Sequence, residues 1–205
     1  NTAVGKDAGA AITSGANNTA VGHTALLANT TGVDNVGLGA DTLLGNVTGD
    51  ANTAVGRGAL ASNSTADNNT AVGRSALLNN TTGASNVAVG VNSLDACTTG
   101  ASNCGIGINA GGGITEGNHN IGIGNNTFVE SVALTTGGQN IIIGNFSRTD
   151  AVDSTYAIGL GYNISATGGY TTFGNAGADI RAAHGNVTWA TVSDERYKKD
   201  IVDST

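Results

Sequence analysis

The sequence lacks proline and methionine altogether, and aromatic side chains make up only 4% of its 205 residues. Charged residues are also scarce at 11%, whereas 33 residues are glycine. With so few bulky side chains, the chain cannot fill a thick globular core, but it can fill a thin one with Val, Leu and Ala. The composition therefore favours a slender fold, which we expect to associate side by side with further copies.

Several segments that define other protein classes are missing as well. No apolar run approaches the ~20 residues that cross a bilayer, so we expect no membrane insertion. The N-terminus has neither a Met nor a basic-then-apolar leader, so we expect an internal part of a longer polypeptide. The net charge of −7 argues against a nucleic-acid partner, which requires a basic stripe.

What the sequence does contain is a five-residue pattern, an Asn, three mostly small or apolar residues and a Gly. It occurs nine times between residues 1 and 144, and the first eight copies follow at a constant interval of 17 residues. Such a period is typical of a solenoid, in which each repeat contacts only its neighbours. After Asn140 the spacing loosens, and related segments begin at Thr155 and Tyr170. We expect structural roles for the repeated Asn18, Asn35, Asn52, Asn69, Asn86, Asn103 and Asn120 and for the repeated Gly22, Gly39, Gly56, Gly73, Gly90, Gly107 and Gly124.

Each repeat is numbered here from its Asn as position 1. Position 4 is aliphatic and position 3 is nearly always Ala or Gly, which predicts a strand of about four residues with positions 2 and 4 on one face. Gly at position 5 predicts a positive φ or a backbone contact without room for a Cβ. A second apolar pair such as Ala59-Leu60 and a polar turn complete the repeat, and no 3.6-residue period predicts a helix. The predicted fold class is an all-β parallel β-solenoid (β-roll) of 17-residue coils that forms a homotrimer.

The small residues at position 3 allow two interpretations. We expect them to form a tight contact between subunits, since small side chains permit a close approach. The alternative is that they fit the narrow inside of the coil.

One turn position carries Asn29, Asn46, Asn63 and Asn80, each of which begins an Asn-x-Thr sequence. Because these residues recur one coil apart, they would form a ladder of stacked amides that bond along the rod. The alternative is a row of N-glycosylation acceptors. The sequence leaves both interpretations open.

Few residues suggest chemistry. Cys97 and Cys104 are separated by six residues, a spacing that allows a disulfide between adjacent coils or a simply packed Cys104. The three histidines share no repeat position, so we expect no metal and no cofactor. A polysaccharide depolymerase would need paired carboxylates, and Glu116 and Glu130 show no such pairing. We therefore expect no enzymatic activity from the repeats.

The composition changes abruptly at Ser193. Seven of the residues 193–205 are charged, against 16 of the 192 residues before them. We predict three regions: the regular solenoid at 1–144, irregular β coils and a neck at 145–192, and the start of a truncated C-terminal domain at 193–205.

The repeats over roughly residues 1 to 175 resemble the left-handed β-roll heads of trimeric autotransporter adhesins. They are more similar still to the Asn-Thr-Ala-Val-Gly arrays in tail fibres of phages and related viruses, although coils of 17 residues exceed the common adhesin spacing. The resemblance implies a homotrimer on a virion or an extracellular surface that attaches to a host-cell glycan or protein. Either a viral fibre or a bacterial adhesin head is compatible with it.

Residues 193–201, Ser-Asp-Glu-Arg-Tyr-Lys-Lys-Asp-Ile, resemble the opening of the endosialidase-type intramolecular chaperone domain. The resemblance implies a domain that trimerises the fibre and then cuts itself off just after Ser193. It assigns Ser193 as the nucleophile and Lys198 as the group that activates it, a pairing that is chemically sound because a desolvated amine can accept the hydroxyl proton. Tyr197 stands where the family usually has Leu. The alternative is a capped, charged helix start on a connector.

Overall fold

The computed structural model describes residues 1–129, 134–176, 179–185 and 190–191. Regular structure in these residues consists of fifteen short β-strands. The strands are β1 Thr2–Val4, β2 Thr19–Val21, β3 Val36–Leu38, β4 Thr53–Val55, β5 Thr70–Val72, β6 Val87–Val89, β7 Cys104–Ile106, β8 Ile121–Ile123, β9 Ile141–Ile143, β10 Arg148–Thr149, β11 Ile158–Tyr162, β12 Ser165–Ala166, β13 Tyr170–Asn175, β14 Ile180–Ala183 and β15 Ala190–Thr191.

Thirteen of these strands form one long sheet, in the order β1 to β9, then β11, β13, β14 and β15. Neighbours from β1 through β13 are parallel, and each residue of β1 to β7 pairs with the residue 17 positions later. Val21, Leu38, Val55 and Val72 therefore stack in one row, which confirms the predicted parallel solenoid. Eleven parallel strands at about 4.8 Å spacing give a rod on the order of 50 Å long.

The last strands depart from this pattern. β13, β14 and β15 pair in antiparallel fashion and close one end of the long sheet. β10 and β12 form a separate parallel pair, one coil apart, on another side of the solenoid.

The inside of each coil is narrow and is filled by small and medium apolar side chains. At position 3, Ala20, Ala54, Ala71 and Ala88 are at most 1% exposed. This overturns the expectation that position 3 forms a subunit contact: with positions 2 and 4 facing outward, period-two alternation turns position 3 into the core. Position 9 supplies the larger core ladder, whose members Leu26, Leu43, Leu60, Leu77, Leu94 and Phe128 are fully buried.

Each of the first seven coils turns through left-handed backbone conformations at positions 7, 9 and 17. Positions 7 and 17 carry residues such as Asp41 (φ 60°) and Asn68 (φ 60°), whose short polar side chains tolerate this region. Position 9 is different, because Leu43 has a φ of 48° and Leu60 one of 53°. A leucine in this conformation costs roughly 1 kcal/mol, and burial of its side chain offsets that cost by about 2 kcal/mol.

The tenth coil corrects the predicted alignment. Ala157 occupies position 1, since its backbone N–H donates to Asn140 Oδ1 at 2.8 Å just as an Asn in that position would. Ile158, Gly159 and Leu160 then pair with the three residues of β9. The segment predicted to begin at Thr155 therefore begins two residues later, and its position-5 glycine is Gly161.

Candidate functional site

Two rows of buried amides join the coils, and the first lies where each strand begins. We call it the strand-entry ladder. From Asn18 to Asn120, each Oδ1 accepts a hydrogen bond of 2.9–3.1 Å from the backbone N–H of the Asn in the next coil, and Asn140 Oδ1 accepts one from Ala157 at 2.8 Å. In seven of the eight members Nδ2 donates to the carbonyl of the turn before the next coil, as Asn52 Nδ2 does to Ala66 O at 2.8 Å. Asn69 Nδ2 donates instead to Asn52 Oδ1, at 3.3 Å. Its members, all at most 1% exposed, are Asn18, Asn35, Asn52, Asn69, Asn86, Asn103, Asn120 and Asn140.

The second row, which we call the turn ladder, consists of Asn29, Asn46, Asn63 and Asn80. Each of the last three donates from Nδ2 to the Oδ1 of the Asn one coil earlier, at 2.7–3.0 Å. All four Nδ2 groups also donate to the carbonyl three residues ahead, at 2.9–3.0 Å. Because all four side chains are fully buried, the folded coil does not present them for glycosylation, and the stacked-amide interpretation is confirmed.

The turn ladder ends at Cys97, which takes the place of the next Asn. The Cys97 Sγ lies 3.4 Å from Gly100 O. Because Cys97 has no amide to donate to the preceding coil, Asn80 Oδ1 is buried without a hydrogen-bond partner. Burial raises the pKa of the Cys97 thiol to about 11, although its bond to Gly100 acts in the opposite direction. Ile114 and Leu134 then continue the row as apolar residues. The turn ladder therefore leaves one buried amide oxygen unpaired, at its end, which is unfavourable for stability.

Cys104, the first residue of β7, is at position 2 of its repeat and faces outward, whereas Cys97 lies inside the coil. Both are free thiols, so the disulfide that their spacing allows is not formed. Burial also raises the pKa of the Cys104 thiol.

The repeated glycines at position 5 form a corner where successive coils touch. The seven predicted glycines have φ between 116° and 141°, a region that side chains rarely adopt. A Cβ on Gly56 would lie 2.7 Å from the carbonyl carbon and 2.8 Å from the oxygen of Gly73 in the next coil. Both reasons given for glycine, positive φ and backbone contact, therefore apply together.

Positions 2 and 4 of the eleven parallel strands form a continuous outer surface, which we call the outer strand face. Among the described residues up to 144, eight of the ten exposed large hydrophobic side chains lie on it. Their exposed fractions range from 36% to 58%. The eight are Val4, Val21, Leu38, Val72, Val87, Val89, Ile106 and Ile143, and Phe173 of β13 continues the row.

The residues assigned to self-cleavage, Ser193 and Lys198, lie outside the described residues, as does Glu130. Within the described ranges, no three His, Cys, Asp or Glu side chains come together in a way that could hold a metal ion. No helix long and apolar enough to cross a membrane is present in that same part of the chain. The roles of Ser193 and Lys198 stay predictions.

Comparison of the chain with protein-family models, with curated proteins and with solved structures finds no match. The geometry alone therefore defines its class: a parallel β-solenoid of the β-roll type, built from about ten coils that amide ladders hold in register.

Proposed function

We propose that the chain is a structural and adhesive segment of a homotrimeric viral tail fibre or spike. In this proposal the solenoid is a stiff rod, three copies pack along the outer strand face, and the remaining sides contact a glycan or protein on the host surface. The observation that carries the proposal is the outer strand face, on which exposed hydrophobic side chains recur from β1 to β13.

The size of that surface supports self-association. Two partly exposed side chains on each of eleven strands, one of them Thr on five strands, present on the order of 1,000 Å² per chain, and a stable interface needs ~800 Å² per partner. Soluble monomers rarely expose apolar patches beyond a few hundred Å². A rod with the same surface on every copy associates by cyclic symmetry, and the thin core favours the additional burial.

The choice of a viral fibre, and the chaperone attached to it, rests on the resemblance of residues 193–201. In the proposal, that segment begins a domain that assembles three chains and then releases them by cleavage at Ser193 with the help of Lys198.

The double variant Val72→Lys, Val89→Lys tests the assembly. Both side chains lie on the outer strand face with 37% and 38% exposure. In a trimer, each substitution would bring three ammonium groups together in a desolvated interface, which costs several kcal/mol. We expect sedimentation equilibrium to give three times the 20.0 kDa chain mass for the natural sequence and a single chain mass for the variant.

Val47→Lys is the matched control, because Val47 is equally exposed at 38% but lies in the turn region, away from the outer strand face. It should keep the trimer mass. A natural chain that sediments at 20.0 kDa, or a control that dissociates as readily as the double variant, would contradict the proposal.

A further inference from the structure

A cavity of about 420 Å³ opens on the side of the solenoid formed by positions 6 to 10, next to the outer strand face. It exists because one coil carries smaller side chains than its neighbours. Gly58 stands at position 7 and Ala61 at position 10, whereas the flanking coils have Leu44 and Leu78 at position 10. The regular surface therefore has a notch, with leucine side chains above and below it.

Two arginines border this notch in a chain whose net charge is −7. Arg57 and Arg74 occupy position 6 of successive coils, and both are exposed. Arg57 Nε lies 3.8 Å from Asp41 Oδ2, so its charge is already compensated. Arg74 has no carboxylate partner within the ranges that the structure describes. The cavity thus offers one unpaired guanidinium beside a neutralised one.

Hydrogen-bonding groups complete the lining. Asp41 Oδ1 accepts a hydrogen bond from Thr24 Oγ1 at 2.8 Å, which fixes the carboxylate at the cavity wall. Ser75 places a hydroxyl on the opposite side, in the same coil as Arg74. A carboxylate and a hydroxyl are suitable partners for the hydroxyl groups of a sugar, and aliphatic side chains can contact the C–H face of its ring.

From this combination we propose that the cavity binds a sugar that bears a carboxylate. Arg74 pairs with the sugar carboxylate through two parallel N–H···O bonds, a geometry that favours arginine over lysine. Asp41 and Ser75 bond ring hydroxyls, and the ring lies in the notch over Ala61 between Leu44 and Leu78. A volume of about 420 Å³ accommodates one or two sugar rings.

The affinity of one such site should be low, on the order of millimolar, because the cavity is open and has no aromatic side chain for the ring to stack on. The proposal rests on the adhesive function proposed above and specifies its ligand class. Several sites on one fibre would then raise the overall avidity without further contacts at each site.

The test is a saturation-transfer NMR titration of the full chain with glucuronate, with N-acetylneuraminate and with neutral glucose. We expect binding of at least one acidic sugar and none of glucose under the same conditions, and the two acids distinguish a uronic-acid source from a sialic-acid source. Arg74→Gln should weaken binding about tenfold or more, since a charge-assisted pair is lost. Ala61→Leu should abolish binding with no loss of stability, because leucine already occupies this position in both adjacent coils.

Lys6→Gln is the control, because Lys6 occupies the same repeat position four coils away and lies outside the cavity. The affinity of the Lys6→Gln variant for the acidic sugar should equal that of the natural chain. Failure of both acidic sugars to bind, equal binding of glucose, or undiminished binding by Ala61→Leu would overturn the site. Sedimentation of the same samples separates the two proposals: a trimer that binds no acidic sugar overturns the site alone, and a monomer that binds one overturns the assembly alone.

Discussion

Replacing Gly56 by Ala is expected to destabilise the solenoid by roughly 4 kcal/mol, one of the largest effects a single methyl group can have. The added Cβ would lie 2.7 Å and 2.8 Å from the carbonyl carbon and oxygen of Gly73. The backbone of both coils is held by hydrogen bonds between coils, so it cannot move aside without separating the two coils. In addition, a φ of 116° is strained for any residue with a side chain, at a cost of 1–3 kcal/mol.

Gly58→Ala, two residues away in the same coil, is the matched control for this prediction. The φ of Gly58 is 70°, and a Cβ there would meet nothing closer than Leu78 Cδ1 at 3.7 Å. Its expected cost is about 1 kcal/mol, that of alanine in the left-handed region. Urea unfolding followed by circular dichroism compares the two variants, and equal losses of stability would show that the glycine corner is not a contact between coils.

Asn52→Ala is expected to cost about 3 kcal/mol, because it leaves the buried backbone N–H of Asn69 without a partner and removes one of the two hydrogen bonds to Ala66 O. Asn52 Oδ1 accepts from the backbone N–H of Asn69 at 3.0 Å, and its Nδ2 donates to Ala66 O at 2.8 Å. Alanine can replace neither bond, and the fully buried site leaves no ready access for water to do so.

The control for the amide ladder is Asn79→Ala. Asn79 also donates from Nδ2 to a carbonyl, that of Asp95 at 2.9 Å, but it is exposed, so water can replace the lost bond. Its expected cost is at most ~1 kcal/mol. Thermal unfolding of both variants provides the comparison. If Asn52→Ala were as stable as Asn79→Ala, the strand-entry ladder would not be what holds the coils in register.

Much of this fold can be predicted from the repeat period, because each coil contacts its neighbours at the same positions. The interval of 17 residues places Asn52 beside Asn69 and Val55 beside Val72, so the parallel pairing could be predicted, as could the turn ladder and a structural role for the repeated Asn residues. Glycine at position 5 could be predicted as well, since no other residue type recurs there.

Other features could not be predicted from the period. The sequence does not say which face of a three-residue strand is inside, and the small size of Ala54 suited a subunit contact as well as a narrow core. Nothing in a leucine indicates a left-handed conformation, so the positive φ of Leu43 and Leu60 could not be predicted. The tenth coil was misaligned because Ala157 replaces the expected Asn and leaves no marker of position 1.

The cavity that we propose as an acidic-sugar site depends on a local exception to the repeat. Aligning the coils shows Gly58 and Ala61 where the neighbouring coils have larger side chains, so this signal was present in the sequence. The cavity itself could be identified only from the structure, because the coil geometry places positions 6, 7 and 10 of three coils around one space.

Successive repeats stack as coils of one rod, and distances between pairs of spin labels would measure this stacking. Labels would replace position-6 residues in a chain without its natural cysteines, diluted with unlabelled chain: His23 with Val91, Lys6 with Val91, and Lys6 with Ile108. These pairs are four, five and six coils apart. We expect distances of about 19, 24 and 29 Å, a constant rise of about 4.8 Å per coil. Distances that do not increase with the number of coils would contradict it.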